Sequence, residues 1–255
     1  MLLLLSPAKI QNFESQPYCS EYSIPAFMAE AENLVERVKE LSTDQLAKLL
    51  GINRNLTRLN IDRLFNWQQP FTPKNAKQAV FVFNGEVFHG LDAKTLKQED
   101  LLYLQSHLRI LSGLYGVLRP FDLIQPYRLD VSTSLKTEYG NNLYAYWGEK
   151  ITRNLNNAIK ELGGSQILLN LASGEYRKAV LPGLLKAKII DFDFLENIDD
   201  NYKPIVVYIK KARGMMVRYI IENRIENIED IKGFNYAGYW FNERLSTNKK
   251  LVFTR

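Results

Sequence analysis

Apolar residues recur along this chain with two different periods, and together they predict alternating strands and helices. Continuous or alternating apolar runs predict strands over residues 2–5, 79–83, 166–171, 188–194, 204–209 and 251–253. Apolar residues at helical spacing predict helices over residues 26–67, 101–111 and 141–162. Neither an internal repeat nor a linker interrupts this order. The pattern therefore predicts one domain of mixed strands and helices that spans residues 1–255.

The densest local signals lie in residues 107–129, where a leucine-rich helical pattern meets glycines, prolines and arginines. The leucine spacing predicts a helix with Gly113 as its left-handed cap, and Gly116 follows three residues later. Two close glycines let main-chain N–H groups approach a DNA phosphate, as in a helix-hairpin-helix element, whereas a capped helix and a tight turn explain them without DNA. Pro120 pushes Arg119 out of the helical region, so any second helix is short.

Basic residues are concentrated a second time in residues 210–218, between a predicted strand and a predicted helix. Lys210, Lys211, Arg213 and Arg218 lie within this segment. Such a cluster suits phosphate contacts, which give affinity for nucleic acid without sequence choice. A solvated helix start with a surface ion pair is the alternative interpretation.

The composition is that of a globular protein, and the charge distribution favours an anionic partner. The chain has 255 residues, of which 46% are hydrophobic and 24% charged, with a formal net charge of +5. Residues 203–255 contain 11 Lys and Arg against 5 Asp and Glu, so the C-terminal fifth carries the excess. Nucleic acid is the commonest partner of a basic protein of this kind.

Cysteine content and the first residues predict a cytoplasmic protein without a membrane segment. Cys19 is the single cysteine and cannot form an internal disulfide, which fits a reducing compartment. The apolar residues 2–5 lack the basic flank and the length of a signal peptide, and no apolar run approaches a membrane span. The two histidines have no companions at ligand spacing, and Asp191 and Asp193 lack further ligands. No metal or other cofactor is therefore predicted.

A few side chains offer chemistry other than nucleic-acid binding. Ser6 and Lys9 match an S-x-x-K pattern just after the first strand, where Lys9 suits a phosphate or carboxylate contact better than activation of a nucleophile. Glu86 lies in a predicted turn flanked by glycines. It can be read as a general base, as a carboxylate that binds a ribose, or simply as an exposed turn residue. Ser173 follows a predicted strand and either caps the next helix or holds a phosphate, with Glu175 beside it.

Several longer segments carry a family resemblance. LLLLSPAK, HLRILSGLYGVLRPFDLIQPYRL, LLNLASGEY, KKARGMMVRYIIENRI and GFNYAGYWF together resemble the bacterial peroxide stress protein YaaA family over essentially the whole chain. The resemblance implies a single α+β domain with a mixed β-sheet and surrounding helices, a positively charged cleft and a helix-hairpin-helix-like element. It also implies cytosolic action in the oxidative stress response, limitation of iron-driven damage, and binding to double-stranded DNA linked to repair. No catalytic residue can be carried over.

The leading hypothesis is accordingly a stress protein that binds double-stranded DNA through phosphates, without sequence specificity. The residues expected to line its cleft are Lys9, Arg109, Gly113, Gly116, Arg119, Lys210, Lys211, Arg213 and Arg218. The alternative is an enzyme that acts on a nucleotide or other phosphorylated small molecule and uses Ser6, Glu86, Ser173 and Glu175. A closed pocket favours the enzyme, and an open groove favours DNA. An iron-binding protein is disfavoured because no iron site is evident, and no oligomeric state is indicated.

Overall fold

The structure, a computed structural model, describes residues 1–14, 19–199 and 201–255. The strands in these ranges are β1 (Leu2–Leu5), β2 (Lys77–Gln78), β3 (Leu108–Ser112), β4 (Gly116–Leu118), β5 (Leu123–Ile124), β6 (Ile167–Asn170), β7 (Lys188–Ile198), β8 (Asn201–Lys203), β9 (Trp240–Phe241) and β10 (Lys250–Thr254). The helices are α1 (Met28–Lys39), α2 (Thr43–Leu50), α3 (Arg54–Asn66), α4 (Ala79–Val82), α5 (Glu86–Leu91), α6 (Gln98–His107), α7 (Leu143–Trp147), α8 (Lys150–Leu162), α9 (Gly174–Arg177), α10 (Val206–Glu222) and α11 (Ile228–Ile231).

Strands and helices build an α+β architecture in which helices flank a mixed sheet. The strand order is β4-β3-β1-β6-β7-β10-β9, and β8 pairs with β7. Strands β3, β1, β6, β7 and β10 are parallel, whereas β4 and β9 are antiparallel to their neighbours. Strand β1 is buried along its whole length, which explains why Leu2–Leu5 is a continuous apolar run rather than an alternating one.

The order of the strands reverses beside β1. From β1 the chain goes to β3 on one side of it, returns past β1 to β6 on the other side, and continues outward to β7 and β10. The connections that leave β1 and β6 therefore run in opposite directions. In open sheets of parallel strands, the carboxyl ends of two such strands leave a crevice between them, and ligands bind there. We call the space beyond Leu5 and Asn170 the β1–β6 crevice.

Many local predictions are confirmed by the structure. The predicted strands at residues 2–5, 166–171, 188–194 and 251–253 correspond to β1, β6, β7 and β10. Ser42 and Gln45 form the expected capping box at the start of α2, and Gly51 ends that helix in the left-handed conformation. Among the described residues, no helix is both long enough and apolar enough to cross a membrane.

The predicted helix over residues 101–111 is wrong in its second half. Helix α6 ends at His107, and the next five residues form β3, which is buried at every position. Strand β4 follows and pairs antiparallel with β3, so residues 108–118 are a β-hairpin. Gly113 therefore caps no helix, and the helix-hairpin-helix element expected here is replaced by helix, strand, turn and strand.

Arg109 explains why α6 ends without a glycine. Its Nη1 donates hydrogen bonds to the carbonyl oxygens of Gln105, Ser106 and Leu108 at 3.2, 3.2 and 2.8 Å. These are carbonyls at the end of the helix that would otherwise lack partners. The leucine spacing of this segment fits a helix, yet a central strand with both faces buried is also continuously apolar.

Two predicted strands, residues 79–83 and 204–209, are wrong because helices α4 and α10 begin there. Their β-branched and aromatic residues favour strands locally, but tertiary packing overrides that preference. For α10 the packing is unusually close. A Cβ added at Gly214 would lie 1.8 Å from the carbonyl oxygen of Val87, and one at Gly90 would lie 2.0 Å from that of Lys211. Helices α5 and α10 therefore pack backbone against backbone.

Candidate functional site

Two serines meet at the β1–β6 crevice. Ser6 directly follows β1, and Ser173 lies three residues beyond the end of β6. The Ser6 hydroxyl donates to Ser173 Oγ at 3.2 Å, and the Ser173 backbone N–H donates to Ser6 Oγ at 2.8 Å. Ser173 Oγ also accepts from the Tyr176 N–H at 3.5 Å and caps α9, so the capping interpretation of this serine is confirmed.

A charged network lies beside the serine pair. Lys9 Nζ is 3.2 Å from Asp130 Oδ2, and the Tyr176 hydroxyl donates to Asp130 Oδ1 at 3.3 Å. Burial raises the pKa of Tyr176, and the negative charge of Asp130 acts in the same direction. Tyr176 therefore stays neutral and acts as a hydrogen-bond donor. Asp130 and Tyr176 belong to no site predicted from the sequence, although Tyr176 lies in the LLNLASGEY segment.

The network borders a narrow cleft, which is lined by Pro7, Ala8, Lys9, Gln11, Tyr127, Arg128, Leu129, Asp130 and Tyr176. Its volume of about 10 Å³ is the room that one water molecule needs. At the back of the cleft, the Tyr127 side chain is held by a buried hydrogen bond, since the hydroxyls of Tyr127 and Ser112 are 2.7 Å apart. A larger molecule must therefore place most of its atoms outside the narrow cleft.

An open cavity of about 870 Å³ adjoins the narrow cleft, and Gln11 lines both. Of the thirteen described residues that line it, seven carry a side-chain amide: Gln11, Asn12, Asn66, Gln68, Asn75, Asn84 and Gln125. Amide groups both donate and accept hydrogen bonds, so the wall suits a polar ligand. We call this space the amide cavity. Its volume falls within the range of small-molecule sites.

The two candidate carboxylates lie at the edge of this region. Glu175 lies two residues beyond Ser173 in the chain. Its Oε1 accepts a hydrogen bond from the Ser132 hydroxyl at 2.6 Å. Glu86 begins α5 and lies 3.4 Å from His89 Nδ1. The start of α5 packs against the segment after β1, because a Cβ added at Gly85 would be 3.0 Å from that of Ala8. Ser6, Ser173 and Glu175 are thus brought to one region, whereas Glu86 is placed there only through the contact of its neighbour Gly85 with Ala8.

Most residues predicted to contact DNA have structural partners instead. Arg109 is only 7% exposed, and burial lowers its pKa to about 10. The hairpin glycines are also buried in packing. A Cβ added at Gly113 would lie 2.1 Å from the Leu129 carbonyl oxygen, and one at Gly116, whose φ is +68°, would lie 2.7 Å from the Trp147 ring. These glycines present no N–H groups to a duplex.

The remaining predicted arginines are engaged or largely buried. Arg119 pairs with Asp122 at 3.1 Å, and Arg218 pairs with Glu222 at 2.7 Å. Burial lowers the pKa of Arg213, whose Nε has no hydrogen-bond partner among the described residues. The predicted residues that remain exposed are Lys9, Lys210 and Lys211. The segment 210–218 lies inside α10, so it is not the strand-to-helix junction that was predicted.

Among the described residues, no group of three or more His, Cys, Asp or Glu side chains is placed to bind a metal ion. The two aspartates of β7 have other partners. Asp191 Oδ1 accepts from Asn170 Nδ2 at 2.6 Å, and Asp193 Oδ2 lies 2.9 Å from Lys250 Nζ. Both aspartates are therefore engaged with neighbouring side chains of the sheet.

Comparison with known proteins gives one family across the chain. The family model for peroxide stress protein YaaA matches residues 1–245. A UPF0246 protein of Burkholderia mallei (strain SAVP1) is 45% identical over 256 residues, covering 100% of this chain and 98% of the relative. A UPF0246 protein of Shewanella pealeana is 46% identical over 255 residues, covering 100% of this chain and 99% of the relative. The chain therefore belongs to the peroxide stress protein YaaA family.

Proposed function

We propose that this protein acts in the cytoplasmic response to peroxide by binding a phosphorylated small molecule, such as a nucleotide, at the β1–β6 crevice. The observation that carries the proposal is the convergence of Ser6, Lys9, Asp130, Ser173 and Tyr176 at the carboxyl ends of two parallel strands where the strand order reverses. We further propose that residues 1–255 form one domain.

The arrangement supports acid–base chemistry on the bound molecule. Asp130 lies between a cation, Lys9, and a neutral hydroxyl donor, Tyr176, which orient its two oxygens. The adjoining narrow cleft has room for one water. A carboxylate held beside a water or a ligand hydroxyl can accept its proton, and the neighbouring donors can stabilise charge that develops on the ligand.

Shape favours a small ligand over a duplex. The amide cavity is concave and polar, and it shares the lining residue Gln11 with the narrow cleft. The amide cavity is open to solvent, but its volume of about 870 Å³ is that of a small-molecule site and not of a groove for a duplex. The residues expected to form a broad basic groove are instead mostly used in packing and ion pairs.

Lys9→Met is expected to raise the Kd for the bound compound about tenfold, because it removes one charge-assisted contact. The measurement is the thermal stabilisation of the full chain by a panel of nucleoside phosphates and sugar phosphates, titrated for each variant. Lys210→Met is the matched control, since it removes another exposed lysine, on α10. Equal affinities of the two variants, or no saturable stabilisation by any compound, would contradict the proposal.

A second candidate function is binding to double-stranded DNA, linked to repair and to protection from iron-driven damage. It is favoured by the exposure of Lys210 and Lys211 on α10 and by the basic excess of residues 203–255. Contacts from these lysines would be to phosphates, so unrelated duplexes would bind alike and affinity would fall steeply with salt.

The double variant Lys210→Ala and Lys211→Ala is expected to weaken every duplex equally and to reduce the slope of log affinity against log salt by about 2. The measurement is a salt-titrated binding series with duplexes of unrelated sequence. Arg109→Met serves as a comparison, since Arg109 is buried and would leave the slope unchanged. Absence of binding at low salt excludes this candidate.

A further inference from the structure

Two arginines beside the β1–β6 crevice have no hydrogen-bond or ion-pair partner among the residues that the structure describes. Arg63, on α3, lines the amide cavity, and Arg128 lines the narrow cleft. Within the described ranges, neither guanidinium makes a hydrogen bond or an ion pair. Arg109, Arg119 and Arg218 differ from them, because each of these caps carbonyls or pairs with a carboxylate.

The two charges lie close enough to affect each other. Burial lowers the pKa of Arg63, and the positive charge of Arg128 lowers it further. Glu14 and Asp62 also line the amide cavity, but neither carboxylate is within ion-pair distance of Arg63 or Arg128. Two half-buried cations that pair with no carboxylate of the described residues destabilise the folded chain unless an anion binds to them. Unfavourable charge placement of this kind is typical of ligand sites.

Two amides that line the same spaces as the arginines are oriented as donors. Gln11 Oε1 accepts from the Tyr127 N–H at 3.1 Å, and Asn12 Oδ1 accepts from the Glu14 N–H at 2.8 Å. With their oxygens occupied in this way, the amino groups of Gln11 and Asn12 remain as donors toward the cavity that both residues line. The junction of the narrow cleft and the amide cavity therefore combines two cations with amide donors.

We propose that Arg63 and Arg128 form a phosphate-binding subsite at this junction. The molecule that the protein takes is then a phosphate ester, with its phosphate on the two guanidinium groups and its polar body in the amide cavity. Guanidinium groups match the oxygens of a phosphate in pairs, which gives both affinity and orientation. This inference rests on the proposed function and deepens it.

The subsite also resolves a difficulty with the serine pair. Ser173 was one candidate for holding a phosphate, but its hydroxyl oxygen and its backbone N–H already bind Ser6 and the Tyr176 N–H. Helix α9, which Ser173 caps, has only four residues. The phosphate therefore binds at the arginines, and the crevice side chains are left to contact the rest of the ligand.

The experiment uses inorganic phosphate as the probe and the full chain, titrated at constant ionic strength by calorimetry and by thermal stabilisation. Arg63→Gln and Arg128→Gln are each expected to raise the Kd for phosphate at least tenfold. Arg58→Gln is the matched control, because Arg58 is exposed on the same helix as Arg63 and its loss changes the net charge equally. This control is expected to bind as the unmodified protein does.

Stability without phosphate separates a binding role from a structural one. Arg63→Gln is expected to be at least as stable as the unmodified chain, because the substitution removes repulsion and breaks no hydrogen bond or ion pair with the described residues. A large loss of stability in Arg63→Gln would overturn the inference. The inference would also be overturned if Arg63→Gln and Arg58→Gln weakened phosphate binding equally. It would equally be overturned if the unmodified chain showed no saturable phosphate binding. If Lys9→Met alone abolishes phosphate binding, the proposed function stands and the arginine subsite does not.

Discussion

Gly214→Val is expected to lower the free energy of unfolding by about 3 kcal/mol or more, or to prevent folding altogether. A Cβ at this position would lie 1.8 Å from the Val87 carbonyl oxygen and 2.6 Å from the Leu91 backbone nitrogen. Both contacts are with main-chain atoms of α5, which cannot rotate away as a side chain can. Helices α5 and α10 would have to separate, and the loss is measured by urea denaturation.

Gly183→Ala is the control for this substitution, because nothing lies within 4 Å of a Cβ built at Gly183. Its expected effect is within about 0.5 kcal/mol of the unmodified chain. Gly90→Ala tests the same helix contact from its other side, where the nearest atom is the Lys211 carbonyl oxygen at 2.0 Å. A stable, cooperative Gly214→Val protein would show that the close approach of α5 and α10 is not required.

Arg109→Met is expected to destabilise the protein by about 3 kcal/mol, because it leaves one buried and two partly buried carbonyl oxygens at the end of α6 without this donor. The guanidinium binds three of them, at distances between 2.8 and 3.2 Å. Methionine is close to arginine in length and apolar, so it fills part of the same space. The removal of a desolvated charge offsets some of the loss.

The free energy of unfolding from chemical denaturation measures this effect, and Arg58→Met, at an exposed position of α3, is the control. The control is expected to change stability by less than about 0.5 kcal/mol. If Arg109→Met is as stable as the control but loses affinity for DNA, then Arg109 serves binding rather than the end of α6. That outcome would restore the interpretation of this arginine that the sequence favoured.

The parts of the fold that the sequence predicts are those encoded by neighbouring residues. The apolar run Leu2–Leu5, the capping box of Ser42 and Gln45, and the left-handed Gly51 all act within one element, and each is present. The predictions that failed depend on distant residues. The end of α6 is decided by Arg109 within a buried strand, and the start of α10 is decided by its packing on α5.

The candidate site was predictable only in part for the same reason. Ser6 and Lys9 stood out because they follow a strand, and Ser173 stood out at a strand-to-helix turn. Asp130 has no unusual local sequence, and it becomes informative only when folding brings it to Lys9 and Tyr176. Ser6 and Ser173 are themselves 167 residues apart in the chain, a pairing that a single sequence does not reveal.

The central claim is that a phosphorylated small molecule binds at the β1–β6 crevice. The most direct measurement is the change in backbone amide chemical shifts of the full chain, titrated with the phosphorylated compound that stabilises it most. The account predicts saturable shifts confined to residues 6–12, 127–130 and 173–176 and to the neighbourhood of Arg63. Shifts confined to residues 203–218, or no shifts at saturating compound, would contradict it.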